Sequence, residues 1–222
     1  MARLVERVPA TLELVGASSI IAFVIALPLG VLAAVRRWFD RLTTVGAVAA
    51  ISLPVFWFGL LLQLVFANAL GWLPSSGRAT YGVTGFALGD RLAHLVLPAI
   101  VLSAVHAAAW SRYLRGSMRE TMALPFVRAA RARGVRERAV VIRHALRNAA
   151  VPFVTVVLLD ASIMASGAVV TESVFAWPGI GSLFTESLAK RDYTVLMAFL
   201  MCASTVVVIL NLLADIALHA ID

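Results

Sequence analysis

Residues that could do catalytic chemistry are few in this 222-residue sequence. The only lysine is Lys190, and no glycine-rich stretch precedes it, so a phosphate-binding G-x-x-x-x-G-K-[ST] loop cannot form. The motifs H-E-x-x-H and G-x-S-x-G are absent, and His94 and His106 are 12 residues apart, about 120° around a helix. We therefore predict that the chain is not an enzyme and holds no metal and no cofactor.

One charged residue has an unusual setting. Asp160 is the only charged residue of the stretch 148–171, and a carboxylate in such a segment should face a bundle interior or a wet pathway. Met164, Gly167 and Thr171 follow it at helical spacing and would form a stripe suited to lining a path. The alternative is a buried structural aspartate that is hydrogen-bonded to a neighbouring helix. Both interpretations remain open from the sequence.

Composition indicates that the elements carrying these residues lie in a membrane. The chain is 61% hydrophobic and 14% charged, with a mean hydropathy of +0.93, which exceeds what a soluble domain of this size could bury. Its single cysteine, Cys202, has no partner, so neither a disulfide framework nor a cysteine metal site is possible.

Uncharged runs of about 20 residues predict the membrane spans. The prediction is an all-α membrane protein, a single domain of about five transmembrane helices over residues 1–222. The predicted spans are roughly 12–35, 42–67, 92–114, 146–170 and 194–217, and a loop covers 115–145.

The arginine distribution predicts the orientation. Ten arginines but only two acids lie between Arg112 and Arg147, which marks this loop as cytoplasmic and disfavours a nucleic-acid interpretation of the net charge of +7. The C-terminus is then cytoplasmic and the N-terminus external. Because Arg3 and Arg7 would lie outside, we expect a further span upstream of them.

The basic loop has the pattern of a helix, a turn and a second helix. Pro125 suits a first helical position, Gly134 suits a left-handed cap, and the next helix should begin near Arg136. Ala129 and Ala130 form a small pair that would allow a partner to approach the backbone closely.

The stretch FVRAARARGVRERAVVIRHALRNAAVP (126–152) resembles the ATPase-coupling loop of ABC importer permeases, in the form typical of peptide and nickel systems. Ala129, Ala130 and Gly134 match the alanine pair and the glycine of that family. Arg128 departs from the glutamate of the broader motif. The resemblance implies that a short helix here sits in a cleft of the ATPase. The implied coupling residues are Phe126, Ala129, Ala130, Arg131, Arg133 and Gly134.

Two further stretches, 52–77 and 167–193, also resemble this family, whose usual first span and following external segment are missing here. The resemblance implies a type I ABC importer fold. It also places the segment around the W-P-G-x-G sequence at the extracellular mouth, although a rigid turn with an interfacial aromatic is a simpler interpretation. The mouth residues are Glu172, Trp177, Pro178, Gly179 and Gly181.

The resemblance also implies the partners and the cargo. The expected partners are a second homologous permease, two ATP-hydrolysing subunits at the cytoplasmic loop, an extracellular substrate-binding protein and membrane lipid. The expected location is the bacterial inner membrane. Small peptides are the expected cargo, with nickel or glutathione as alternatives. Two other hypotheses are an ion-coupled secondary transporter that uses Asp160 and a membrane scaffold that transports nothing.

Overall fold

The structure is a computed structural model that describes residues 2–80 and 87–221. These residues form helices and no strand, which confirms the predicted all-α class. Two π-helical turns are present: Gln63–Ala69 extends α3, and Val140–Leu146 precedes α7. The α-helices are α1 (Ala2–Val35), α2 (Arg37–Ser52), α3 (Val55–Leu62), α4 (Leu88–Ala123), α5 (Pro125–Ala132), α6 (Glu137–Ala139), α7 (Arg147–Val174), α8 (Ile180–Lys190) and α9 (Tyr193–Ile221).

Several of these helices are long and apolar enough to cross a bilayer. Within the described residues, Leu4–Val35, Leu88–Ala123 and Glu137–Ala161 meet that condition singly. The pair α2 and α3 meets it together, and an apolar segment of α9, Tyr193–Ile209, is shorter.

The second predicted span, 42–67, is not one straight helix. It is broken into α2 and α3, whose directions differ by 98°. Leu53 is extended, with φ −80° and ψ 127°, because the ring of the following Pro54 disfavours the helical conformation at the residue before it. Pro54 also lacks an N–H and therefore cannot continue the hydrogen bonding of α2.

The core lies between α1, α4 and α7. Leu14 of α1, Leu114 and Trp110 of α4 and Phe153 of α7 are almost completely buried in it. Gly30 allows α1 and α4 to approach closely, since a Cβ at this position would lie 2.9 Å from Cβ of Leu114.

Helix α4 extends nine residues beyond the predicted end of its span at 114, so the first part of the predicted loop 115–145 is helical. Asp40 of α2 fastens this extension. It accepts a hydrogen bond from Arg119 Nη2 at 2.8 Å and also pairs with Arg115. These charge-assisted contacts hold the end of α4 beside α2, close to the start of α5.

Candidate functional site

Helix α5 begins where the sequence predicts it. Leu124 is extended (ψ 149°) and Pro125 occupies the first helical position, where its missing N–H costs no hydrogen bond. Val127 and Ala130, three residues apart, are completely buried and hold one side of α5 against the rest of the chain. The other side of this eight-residue helix is exposed.

The end of α5 is a Schellman cap. Gly134 has φ +79°, and its N–H donates to the carbonyl of Arg131 at 2.9 Å. The N–H of Val135 donates to the carbonyl of Ala130 at 3.2 Å, which completes the pair of bonds that defines this cap. The predicted left-handed conformation of Gly134 is confirmed.

The two alanines of the predicted docking pair differ in exposure. Ala129 is exposed, whereas Ala130 is completely buried within its own chain. The expectation that both alanines receive a partner therefore needs correction, because Ala130 already packs internally. The exposed face of α5 instead contains Phe126, Ala129 and Arg133, which recur at helical spacing.

Two arginines near α5 bind their own chain. Arg128 donates from Nη2 to the carbonyl of Ala123, the last residue of α4, at 2.8 Å and from Nε at 3.2 Å. Arg131 donates to both carboxylate oxygens of Glu137 in α6. Arg128 therefore satisfies an orphan carbonyl at the C-terminus of α4. The sequence did not predict this, although a basic side chain just after a helix end is a usable signal.

A cavity of about 710 Å³ opens beside the exposed Phe126. Its lining combines two arginines one helical turn apart with aromatic, amide and aliphatic groups. The lining residues are Phe126, Arg143, His144, Arg147, Asn148 and Val151. The exposed face of α5 thus continues into a basic recess.

Asp160 is held by α4. Its Oδ2 accepts a hydrogen bond from Nε1 of Trp110 at 2.6 Å and lies 2.7 Å from Nδ1 of His106. The sequence left open whether Asp160 is bonded to a neighbouring helix or faces a path, and the structure shows the bonding. Its side chain nevertheless keeps 21% of its surface exposed. No cluster of three or more potential metal ligands occurs among the described residues.

Met164 and Thr171 of the predicted stripe do not share an open surface with Asp160. Met164 is completely buried, and its sulfur lies 3.2 Å from Oγ of Ser19 on α1. Thr171 is also buried, and its hydroxyl has no hydrogen-bond partner among the described residues. Gly167 lies on α7 between them, and its surroundings are outside the described part of the structure. In this conformation Met164 and Thr171 pack inside the chain.

The predicted mouth segment forms a buried junction. Glu172 is completely buried and accepts a hydrogen bond from the Thr11 hydroxyl at 2.6 Å and another from the backbone N–H of Ser182 at 3.0 Å. Because Ser182 lies in the first turn of α8, the carboxylate satisfies an orphan donor at that helix N-terminus. Glu172 thereby joins α1, α7 and α8.

Trp177 is inside the same junction. It is completely buried, and its Nε1 donates to the carbonyl of Ala10 at 2.8 Å. The predicted interfacial aromatic at this position is therefore wrong. A Cβ at Gly179 would overlap the Glu172 carboxylate, and one at Gly181 would overlap the backbone of α7. Pro178 remains partly exposed. The contacts span more than 160 residues of sequence, which explains why local patterns did not reveal them.

Comparison with known families agrees with this arrangement of helices. Residues 26–222 match the family described as the inner membrane component of binding-protein-dependent transport systems. The chain belongs to this family. It is a multi-pass permease of the inner membrane, as the sequence predicted.

Curated relatives match nearly all of this sequence and about 70% of their own length. The permease is 40% identical over 221 residues to the oligopeptide transport system permease protein AppB of Bacillus subtilis, which covers 99% of this chain and 70% of that protein. It is 38% identical over 235 residues to the dipeptide transport system permease protein DppB of Escherichia coli, covering 96% and 69%. A di/tripeptide permease of Pseudomonas aeruginosa is 40% identical over 94% of this chain and 68% of its own length.

Solved structures show the same fold. The MetNI methionine ABC transporter in an inward-facing conformation matches with a TM-score of 0.78 and 20% identity, over 100% of the permease and 97% of that chain. An amino acid ABC transporter with histidines matches with a TM-score of 0.72 and 12% identity, over 99% and 94%. The predicted ABC importer permease fold is confirmed, and none of these findings supports the ion-coupled carrier.

Proposed function

We propose that the permease forms the translocation path of an ABC importer for small peptides. The observation that carries the proposal is the set of relatives, which match nearly the whole chain at 38–40% identity and are named as oligopeptide, di/tripeptide and dipeptide permeases. Nickel is less suitable, because the described residues offer no cluster of metal ligands. Glutathione, itself a small peptide, remains within the proposed class.

Energy for transport comes from partner subunits. The permease works with a substrate-binding component and a separate ATPase, and the proposed complex contains a second homologous permease and two ATP-hydrolysing subunits. The sequence supports this division, because it has no phosphate-binding loop of its own. ATP-driven closure of the ATPases would push on α5, and the movement of the helices would open the path to alternate sides.

The exposed face of α5 is the proposed ATPase contact. Phe126, Ala129 and Arg133 are exposed on it, while Val127 and Ala130 anchor the helix to the permease. The Schellman cap at Gly134 fixes where the helix ends. Because one face of α5 is anchored to the permease, a force applied by the ATPase to the exposed face would be passed to the rest of the permease.

The orientation of the permease follows from its charges. We propose that the basic segment 115–145 lies on the cytoplasmic side together with the C-terminus, and the excess of arginine in this segment supports that orientation. The junction around Glu172 then lies near the extracellular side, where the binding protein would dock.

Transport by the assembled complex tests the function. The permease would be reconstituted in proteoliposomes with its partner permease, both ATPases and the binding protein, and uptake of radiolabelled dipeptide would be followed. We expect uptake that requires ATP and is unaffected when ion gradients are collapsed. Uptake driven by an ion gradient without ATP would reject the importer, and ATP-dependent uptake of Ni²⁺ but not of peptide would reject the cargo.

A matched pair of substitutions tests the docking face. Ala129→Glu places a bulky charge on exposed α5, and Ala189→Glu makes the same change at an exposed position of α8. Both variants should insert and fold. Ala129→Glu should lose ATPase association in a pull-down and most stimulated ATP hydrolysis, whereas Ala189→Glu should keep both. Equal retention by the two variants would show that this face is not the ATPase contact.

A further inference from the structure

Among the described residues, hydrogen-bond partners reach only one of the two carboxylate oxygens of Asp160. The two side chains that approach it, His106 and Trp110, are one helical turn apart on α4, and both reach Oδ2. No hydrogen bond from the described residues reaches Oδ1. Trp110 is almost completely buried, so the carboxylate is held in a fixed orientation with one acceptor oxygen unused. A carboxylate oxygen can accept two hydrogen bonds, and Oδ1 is not among the buried atoms that lack a partner in the described residues, so it remains accessible to an outside donor.

The depth of this pair limits what the free oxygen can face. His106 lies at the middle of α4 (Leu88–Ala123), and Asp160 lies at the middle of α7 (Arg147–Val174). Their side chains keep 13% and 21% of their surface exposed. A carboxylate on a membrane-spanning helix is costly to place against acyl chains, so we expect its open edge to face a polar space inside the assembled transporter.

One face of α4 continues from His106 with accessible residues. Ala109 follows His106 by one turn and is exposed, and Tyr113 follows after another turn with 40% of its surface exposed. A further turn on, Gly116 has no atom within 4 Å of where a Cβ would stand. A small residue and a hydroxyl-bearing residue are therefore accessible on the side of α4 that carries His106.

The chemistry of the site selects the class of ligand. A metal ion would need at least three protein ligands, and the described residues supply no such group. A neutral donor would satisfy Oδ1 without adding positive charge to the contact that Asp160 makes with His106. A primary ammonium group supplies both a positive charge and three N–H donors.

We propose that Oδ1 of Asp160 binds the α-ammonium group of a peptide during its passage through the membrane. This inference rests on the proposed function, since it assumes that peptides are the cargo. His106 and Trp110 are positioning residues that hold Oδ2 and direct Oδ1 outward. A single ion pair of this kind is weak enough to release the peptide, as passage requires.

Protection from chemical modification tests the contact directly. The complete transporter would be treated with dicyclohexylcarbodiimide, which modifies carboxyl groups in apolar surroundings, and the adduct at Asp160 would be measured by site-resolved mass spectrometry. Dialanine at about four times its dissociation constant should slow the modification about fivefold. N-acetyl-dialanine at the same concentration keeps the side chains and the carboxylate but lacks the ammonium, and it should give no protection. Equal protection by the two compounds, or protection by neither, would overturn the proposal.

Transport by a charge-removing variant gives a second readout. Asp160→Asn keeps the size of the side chain, and we expect dipeptide uptake to fall about tenfold, which corresponds to about 1.4 kcal/mol. Glu6→Gln removes a charge from an exposed position on α1 and should leave uptake unchanged. If Asp160→Asn abolishes pairing with the partner permease and neither peptide protects Asp160 in the native complex, Oδ1 belongs to the subunit interface and the proposal fails.

The wild-type controls separate this inference from the proposed function. If the wild-type complex takes up dipeptide with ATP but Asp160 is not protected, peptides are the cargo and the ammonium contact is wrong. If the wild-type complex takes up no dipeptide, the proposed cargo itself is wrong.

Discussion

Arg131 and Glu137 form a two-point ion pair across the turn at Gly134. Nε of Arg131 donates to Oε2 of Glu137 at 3.1 Å, and Nη2 donates to Oε1 at 2.6 Å. The pair is solvent-exposed, and it links α5 to α6 on the two sides of the turn. Its bidentate geometry restricts the angle between the two helices more than a single contact would.

Breaking this pair should reduce coupling measurably while leaving the permease folded. An exposed ion pair contributes up to about 1 kcal/mol, so Arg131→Ala should change the free energy of unfolding by no more than that. ATP hydrolysis stimulated by the binding protein should fall by up to about fivefold, the factor that corresponds to 1 kcal/mol. Lys190→Ala breaks another exposed pair, Lys190 with Glu186 at 2.6 Å, and is the control. Identical ATPase rates in the two variants would contradict the prediction.

Substitutions at Gly134 should be limited by the left-handed backbone conformation of this position and not by the space available for a side chain. A Cβ at this position would meet no atom within 4 Å, so the cost of Gly134→Val comes from φ +79° and should be about 1–2 kcal/mol. Gly134→Asn, which adopts this conformation more readily, should keep ATPase association in pull-down experiments, and Gly134→Val should lose much of it.

Gly116 provides the matching glycine control. It also has open space around its would-be Cβ, but it lies inside helix α4 with no positive φ. Gly116→Ala should therefore leave the free energy of unfolding unchanged or raise it by up to about 1 kcal/mol through helix propensity. If Gly134→Val and Gly116→Ala retain the same ATPase association in the pull-down, backbone strain at Gly134 does not control that association.

Ala130→Glu should act on folding, in contrast to Ala129→Glu. Ala130 is completely buried, and an unpaired carboxylate there should destabilise the permease by about 3 kcal/mol or more. The expected result is loss of properly assembled permease, measured by size-exclusion chromatography in detergent. Normal assembly of Ala130→Glu would show that Ala130 is not packed as described.

Gly181→Ala should damage the junction around Glu172. The added Cβ would overlap the backbone of Val169 on α7 and approach the Glu172 carboxylate, and overpacking of this kind costs about 1–3 kcal/mol. The melting temperature of the purified permease should fall. Gly46→Ala, where a Cβ would meet nothing within 4 Å, is the control and should not lower it.

The coupling segment was predictable because its signals are local. Proline at the first position of α5 and glycine after its end each restrict a single residue's backbone, so Pro125 and Gly134 could be assigned from sequence. The burial of Ala130 could not be assigned, because which face of a short helix is covered depends on distant elements.

The contacts of Asp160 and Glu172 show the same limit. Composition predicts that Asp160 does not face lipid, but its partner His106 lies 54 residues away, and their contact depends on how α4 and α7 pack. Glu172 and Thr11 are 161 residues apart. The helix break at Pro54 has a local cause that the sequence shows, because proline restricts the residue before it. The 98° angle between α2 and α3 depends on packing.

The contact between Arg128 and Ala123 makes α5 a short branch of a larger rigid unit. Only Leu124 separates α5 from α4, and the arginine ties the two helices at that joint. From His106 to Ala123 α4 is about 25 Å long. Over this length Leu114 packs against Gly30 of α1, and Arg115 and Arg119 bind Asp40 of α2. A displacement of α5 should therefore move α1, α2 and α4 together instead of bending α4 alone.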